Sequence, residues 1–179
     1  MKKCVFFDRD GVVNRAPDRG KYVERWEDFR LLRDFVSALR VAREAGFEAV
    51  VVTNQRGVAL GIMSLETVED MHRRLRGRLR QVHGLDILDI LTCPHAKGVC
   101  ECRKPKPGML LDAARRHGLD LKASWMVGDS ESDVEAGRAA GCRTILVSPD
   151  AGAAKADFVI ADTGKLAELL KKVLPNTEH

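Results

Sequence analysis

The chain has 179 residues, is 45% hydrophobic and 31% charged, and carries a formal net charge of +4. That length suits one domain with a substantial core, and no apolar run approaches the roughly 18 residues of a membrane span. The mild positive balance fits anionic substrates and equally an ordinary solubilising surface; its spread along helix-like faces weakens the case for a nucleic-acid partner.

The opening "MKKCVFFDRD" has a basic end, but Asp8 interrupts the apolar run before a secretory signal can form. A cytoplasmic protein is therefore expected, and its five cysteines then argue against a disulfide framework. "KCVFFD" (3–8) reads as a buried strand, and "DFVSALRVAREAG" (34–46) repeats apolar residues at helical spacing up to Gly46. The Val-rich "FEAVVVTN" (47–54) predicts a strand covered on both faces. "SLETVEDMHRRLRGRLRQVHG" (64–84) starts with the Ser64, Glu66 and Thr67 pattern of a capped helix and stops at Gly84. "ILDILTCPH" predicts the next strand and "GMLLDAARRHG" (108–118) the next helix. "ASWMVGD" (123–129), "ESDVEAGRAAG" (131–141), "CRTILVS" (142–148), "DFVIAD" (157–162) and "GKLAELLKKVL" (164–174) continue the alternation, and "PNTEH" is expected to fray. Strand then helix, repeated, implies an α/β fold: a doubly wound, mostly parallel sheet with helices on both faces. Nothing marks a second domain, so residues 1–179 are expected to form one.

Ligands of such sheets bind beyond the carboxyl ends of the strands. That rule gathers Asp8, Thr53, Asn54 and Asp129 on one rim. In "DRDG", Asp8 and Asp10 leave an extended segment on the same side. Two carboxylates about 4 Å apart repel by about 4 kcal/mol at an effective dielectric near 20, so something positive is expected between them. "VVVTNQRG" sets a hydroxyl and an amide at a second strand end; "CRKPKPG" (102–108) holds Arg103, Lys104 and Lys106 on a proline-stiffened loop. "VGDSESD" (127–133) supplies Asp129 and, one helical turn on, Asp133. Singly, each motif is also what an Asx turn, a capped helix start or a solvated basic loop looks like. Cys93, His95, Cys100 and Cys102 match the donor set of a tetrahedral zinc site, although incidental loop cysteines give the same pattern and the Cys-x-His and Cys-x-Cys pairs are tighter than usual. Cys4 and Cys142 read as core residues.

Together, "FFDRDGVVN", "VVVTNQRG", "CRKPKPGM" and "MVGDSESD" resemble the motifs of the haloacid-dehalogenase-like (HAD) phosphohydrolases. The resemblance implies Mg²⁺ held by Asp8, the carbonyl of Asp10 and Asp129, with Asp133 orienting the metal's surroundings or Lys104. It implies Asp8 as nucleophile, Asp10 as general acid and base, and Lys104 stabilising the phosphoryl charge, with Thr53 and amides near Asn54 holding its oxygens. A cysteine- and histidine-bearing loop (93–102) directly before "CRKP" is similar to the capless subgroup of heptose-bisphosphate and histidinol-phosphate phosphatases, in which Zn²⁺ is structural. That likeness implies Zn²⁺ on Cys93, His95, Cys100 and Cys102, and a substrate-recognition role for Arg103. Loop 17–23, with Lys21 and Tyr22, is expected to help choose the substrate. "NQRGVALG" and "RKPKPGM" lie nearer the heptose enzymes, which implies release of the 7-phosphate of D-glycero-D-manno-heptose 1,7-bisphosphate. Histidinol-phosphate hydrolysis and a nucleic-acid 3′-phosphatase are the alternatives among enzymes, the latter disfavoured by few aromatics for stacking: six Phe, two Trp and one Tyr. A zinc-stabilised binding module is the non-enzyme alternative. A monomer acting on a small sugar phosphate, with no nucleic-acid or membrane partner, is expected.

Overall fold

The computed structural model describes residues 1–150 and 155–175. Strands β1 (Cys4–Asp8), β2 (Glu48–Asn54), β3 (Asp89–Cys93), β4 (Trp125–Gly128), β5 (Arg143–Val147) and β6 (Phe158–Ile160) form one sheet in the order β3-β2-β1-β4-β5-β6. All five pairings are parallel. The helices are α1 (Arg33–Glu44), the short α2 (Arg56–Ala59), α3 (Leu65–Arg78), α4 (Gly108–His117), α5 (Glu131–Ala140) and α6 (Leu166–Val173). None is long and apolar enough to cross a membrane. Of the frayed tail expected at 175–179, residues 176–179 lie outside the described residues.

Side chains alternate across a strand, and here each face finds its own helices. Val5, Phe7 and Val51 pack with α1, α3 and α6, and Phe7 meets Phe35 edge-on at 5.2 Å between ring centres. Cys4, Phe6, Val50 and Val52 pack on the opposite face, against Met109 and Leu110 of α4 and Ala136 of α5. Cys4 and Cys142 are both buried in this layer, as their strand runs predict.

The helix predicted over 64–84 divides. Ser64 caps it as expected, its Oγ accepting the Thr67 N–H at 3.1 Å, but α3 ends at Arg78 and Leu79–His83 widen into a π-helical turn. The Leu85 N–H then reaches the Leu79 carbonyl at 3.1 Å around Gly84, at φ +63. This left-handed closure keeps Leu79, Leu85 and Ile87 in the core, a packing demand that helical periodicity does not display.

The chain runs outward from β1 through β2 to β3, then returns to the other side of β1 for β4, β5 and β6. The reversal lies between β1 and β4, and their carboxyl ends deliver Asp8 and Asp129 to one crevice.

Candidate active site

After β1, the backbone turns at Gly11, where φ is +98. A side chain there would place its Cβ 2.0 Å from Asp129 Oδ2, so glycine is needed both for the turn and for the close approach of that carboxylate. Asp8, Asp129 and Asp133 each bring a carboxylate oxygen to within 4.8 Å of the others. Burial pushes the Asp8 carboxyl well up, Asp133 and Asp129 push it further, and Lys104 opposes them. Asp129 is driven up to about 6, by desolvation first and Asp133 second. It keeps one side open to water, and solvent on that side moderates the effect.

Lys104, buried, provides the positive charge. Its Nζ sits 2.5 Å from Asp8 Oδ1, 2.6 Å from Asp133 Oδ1 and 3.0 Å from the Val52 carbonyl. Burial works against its charge, but Asp133 and Asp8 more than offset it and raise its pKa. The Asp133 Oδ2 accepts the Ser130 N–H at 3.1 Å and the Ser130 hydroxyl at 2.7 Å, closing a capping box at the start of α5. Asp133 thus faces the Lys104 ammonium with one oxygen and the start of α5 with the other.

Asn54, expected among the substrate contacts, turns its side chain elsewhere. Its Nδ2 donates to the Lys104 carbonyl and its Oδ1 accepts the Lys104 N–H, both at 3.1 Å. The amide therefore clamps the basic loop to the end of β2. Thr53 lies beside it, its Oγ1 accepting from Gln55 Nε2 at 2.8 Å. A cavity of about 210 Å³ opens over these groups, lined by Asp8, Asp10, Thr53, Asn54, Lys104, Asp129 and Asp133. A second cavity, of about 470 Å³, shares Asn54 and Lys104 and adds Lys97, Arg103 and Lys106. A third cavity, of about 740 Å³, runs along the edge strand β3 and is lined by none of Asp8, Asp10, Asp129 and Asp133.

Lys21 and Tyr22 stand apart. Lys21 is exposed and paired with Asp18 at 3.1 Å; the Tyr22 ring rests against Gly57 and lines a separate cavity with Ile62 and Met63. Conversely, the surroundings of Asp10 hold residues that sequence patterns pass over: Arg9, Asn14 and Gln55 all donate to its carboxylate.

In the loop after β3, Cys93 Sγ lies 3.6 Å from Cys100 Sγ and 3.7 Å from His95 Nδ1. Cys102 Sγ lies 3.3 Å from both Cys100 Sγ and His95 Nδ1. Tetrahedral Zn²⁺ with Zn–S bonds of about 2.3 Å separates its sulfur ligands by about 3.8 Å, so the four donors fit such an ion with small adjustments. The carboxylate cluster fits a hard divalent cation instead: its oxygens crowd one another, and among the described residues Lys104 is the cation paired with Asp8 and Asp133. The two clusters are joined through Cys102-Arg103-Lys104. Lys106 Nζ donates to the Cys100 carbonyl at 3.0 Å, and a Cβ on Gly108 would lie 2.2 Å from the Glu101 carbonyl oxygen.

Residues 101–168 match the Hydrolase_like family model, described as HAD-hydrolase-like. The D-glycero-beta-D-manno-heptose-1,7-bisphosphate 7-phosphatase of Pseudomonas putida is 37% identical over 176 residues, covering 98% of this chain and 91% of that protein. The corresponding alpha-anomer phosphatase of Mycobacterium bovis is 40% identical over 164 residues, covering 87% and 85%. Among solved structures, the D,D-heptose 1,7-bisphosphate phosphatase of B. bronchiseptica, complexed with magnesium and phosphate, superposes with a TM-score of 0.84 at 34% identity, covering 95% of this chain and 98% of that one.

Proposed function

Since the chain belongs to the HAD-like family of heptose-bisphosphate phosphatases, we propose that it is a phosphoric monoester hydrolase that removes the 7-phosphate from D-glycero-D-manno-heptose 1,7-bisphosphate. The observation that carries this reading is the junction of two cavities. One holds Asp8 against Lys104, and the adjoining one presents Lys97, Arg103 and Lys106. A substrate with two phosphates has one for the nucleophile and one for the cationic wall, where Arg103 keeps its recognition role.

Asp8, the Asp10 carbonyl and Asp129 would hold Mg²⁺, which supplies charge compensation for an anionic nucleophile meeting an anionic phosphate. The B. bronchiseptica enzyme, solved in complex with magnesium and phosphate, supports magnesium as the ion. Asp8 Oδ attacks phosphorus, forming the aspartyl-phosphate bond as the P–O bond to the sugar breaks. Asp10 gives its proton to the departing alkoxide, then takes one from the water that attacks the acyl phosphate and frees Asp8. Lys104, Thr53 and amides beside Asn54 hold the equatorial oxygens, where charge accumulates. Cys93, His95, Cys100 and Cys102 would hold Zn²⁺, which would supply a structural clip for the loop that carries Arg103 and Lys104.

The unit proposed is a single capless domain acting as a monomer, because every named group comes from one chain. A sugar bisphosphate, each of whose two phosphates carries about −1.5 to −2 charge at pH 7, does not cross a bilayer unaided, which supports action in the cytoplasm. The test is a panel of both heptose-bisphosphate anomers, histidinol phosphate and a 3′-phosphorylated oligonucleotide, assayed with Mg²⁺. A heptose bisphosphate should be the best substrate, Asp8→Asn should abolish its turnover and Thr53→Ala should only impair it. Faster turnover of histidinol phosphate, or an active Asp8→Asn, overturns the reading.

A further inference from the structure

Arg9 takes no part in the steps above, yet its side chain is completely buried. Burying a guanidinium is strongly unfavourable unless it is paired, and an apolar residue would fill the same space without that cost. Among the described residues its only carboxylate partner is Asp10. Arg9 Nε and Nη2 donate to Asp10 Oδ1 at 3.2 and 3.0 Å, and Nη2 also donates to Oδ2 at 3.1 Å.

The far side of the guanidinium is equally constrained. Nη1 lies 3.3 Å from His72 Nε2 on α3, and the group sits 5.7 Å from the centre of the Phe29 ring. Burial first, and the Arg9 charge second, bring the His72 pKa down to about 3, so the ring is neutral and Nε2 accepts while Nδ1 carries the proton. Two amides complete the cradle: Asn14 Nδ2 donates to Asp10 Oδ1 at 2.9 Å, and Gln55 Nε2 to Oδ2 at 3.0 Å. Gln55 also donates to Thr53 Oγ1, so the plane of the Asp10 carboxylate is tied to a phosphate-binding hydroxyl.

We propose that Arg9, seated on His72, is a positioning residue for proton transfer, fixing the orientation of Asp10 toward the leaving oxygen without touching substrate. This rests on the reading of Asp10 as general acid and base. General acid catalysis contributes about 10²- to 10⁴-fold, and a misplacement of about 1 Å forfeits about 10² of it. The loss falls on esters whose departing alkoxide needs a proton as its P–O bond breaks. A nitrophenolate leaves without one.

The experiment compares kcat/KM, which reports events through P–O cleavage, for a sugar phosphate and for p-nitrophenyl phosphate. Arg9→Met should lower it about 30- to 100-fold on the sugar phosphate and less than about threefold on the nitrophenyl ester. Arg9→Lys, which keeps charge but not the fork, should fall between wild type and Arg9→Met. His72→Leu should show a smaller loss with the same selectivity. Equal losses on both substrates, or no loss, overturn the proposal. Should Arg9→Met fail to fold, Arg9→Lys and His72→Leu decide it by the same ratio. Asp10→Asn is the control: if it too affects both esters equally, the acid role of Asp10 fails and this inference falls with it. If only Asp10→Asn is selective, the acid role stands and the inference about Arg9 alone is wrong.

Discussion

Replacing Lys104 by Met removes the one buried cation that touches both Asp8 and Asp133. At separations of 2.5 and 2.6 Å, each contact is worth about 6 kcal/mol of Coulomb attraction at an effective dielectric near 20. Most of that is set against the cost of desolvating three charges, and breaking such a group by deleting one member typically costs about 3–5 kcal/mol. What remains is a pair of carboxylates whose oxygens lie within 4.8 Å, repelling by about 3–4 kcal/mol at the same dielectric. The metal-free Lys104→Met protein should therefore be about 3–5 kcal/mol less stable than wild type at pH 7, read from urea unfolding. The deficit should depend on pH. Asp8 already titrates above its unfolded value, and losing the ammonium that opposes the shift raises it further. A carboxyl raised on folding binds its proton more tightly in the native state, so stability falls as pH climbs above about 3.9 toward the folded value. The deficit should shrink near pH 4, where Asp8 is protonated, and millimolar Mg²⁺ should recover part of it at pH 7. A wild-type urea midpoint at pH 7, or a deficit identical at pH 4.5 and pH 7, refutes the reasoning.

Gly11→Ala would force a Cβ to within 2.0 Å of Asp129 Oδ2 at φ +98; about 1–3 kcal/mol of strain and weaker Mg²⁺ binding by calorimetry are expected, and unchanged affinity counts against the placement of Asp129. His72 has a folded pKa of about 3 against an unfolded value of about 6.5, so the stability it confers is complete above pH 6.5 and lost as pH falls toward 3. The ceiling is about 4–5 kcal/mol, and His72→Gln should flatten that limb of the stability curve. Elemental analysis should find about one zinc per chain, lost from Cys100→Ser/Cys102→Ser together with much of the activity; a folded and fully active double variant removes the structural role.

The alternation of strand and helix was legible because each element has its own period and its own stop residue, and strands 47–54 and 123–129 fall within a residue or two of β2 and β4. Asp8, Lys104, Asp129 and Asp133 were legible as a set because strand ends converge on one rim. The Asp10 cradle was not. No motif or period in the sequence singles out Arg9, and only the packing of α3, 63 residues away, turns it into a buried contact of His72. Asn54 likewise sits where a ligand contact is expected, but its amide faces a backbone 50 residues distant. Side-chain direction in a loop depends on what the fold stacks above it, as Lys21 and Tyr22 also demonstrate.

The Asn54 amide grips the Lys104 backbone at one end while two carboxylates and the Val52 carbonyl grip its ammonium at the other. Nothing about that charge awaits the substrate's arrival. A field that stands ready in the resting enzyme asks for no rearrangement at the chemical step, but it also greets liberated orthophosphate as warmly as the ester. Slow departure of that product, and competition from it at high concentration, are the natural counterpart of so rigid a cation.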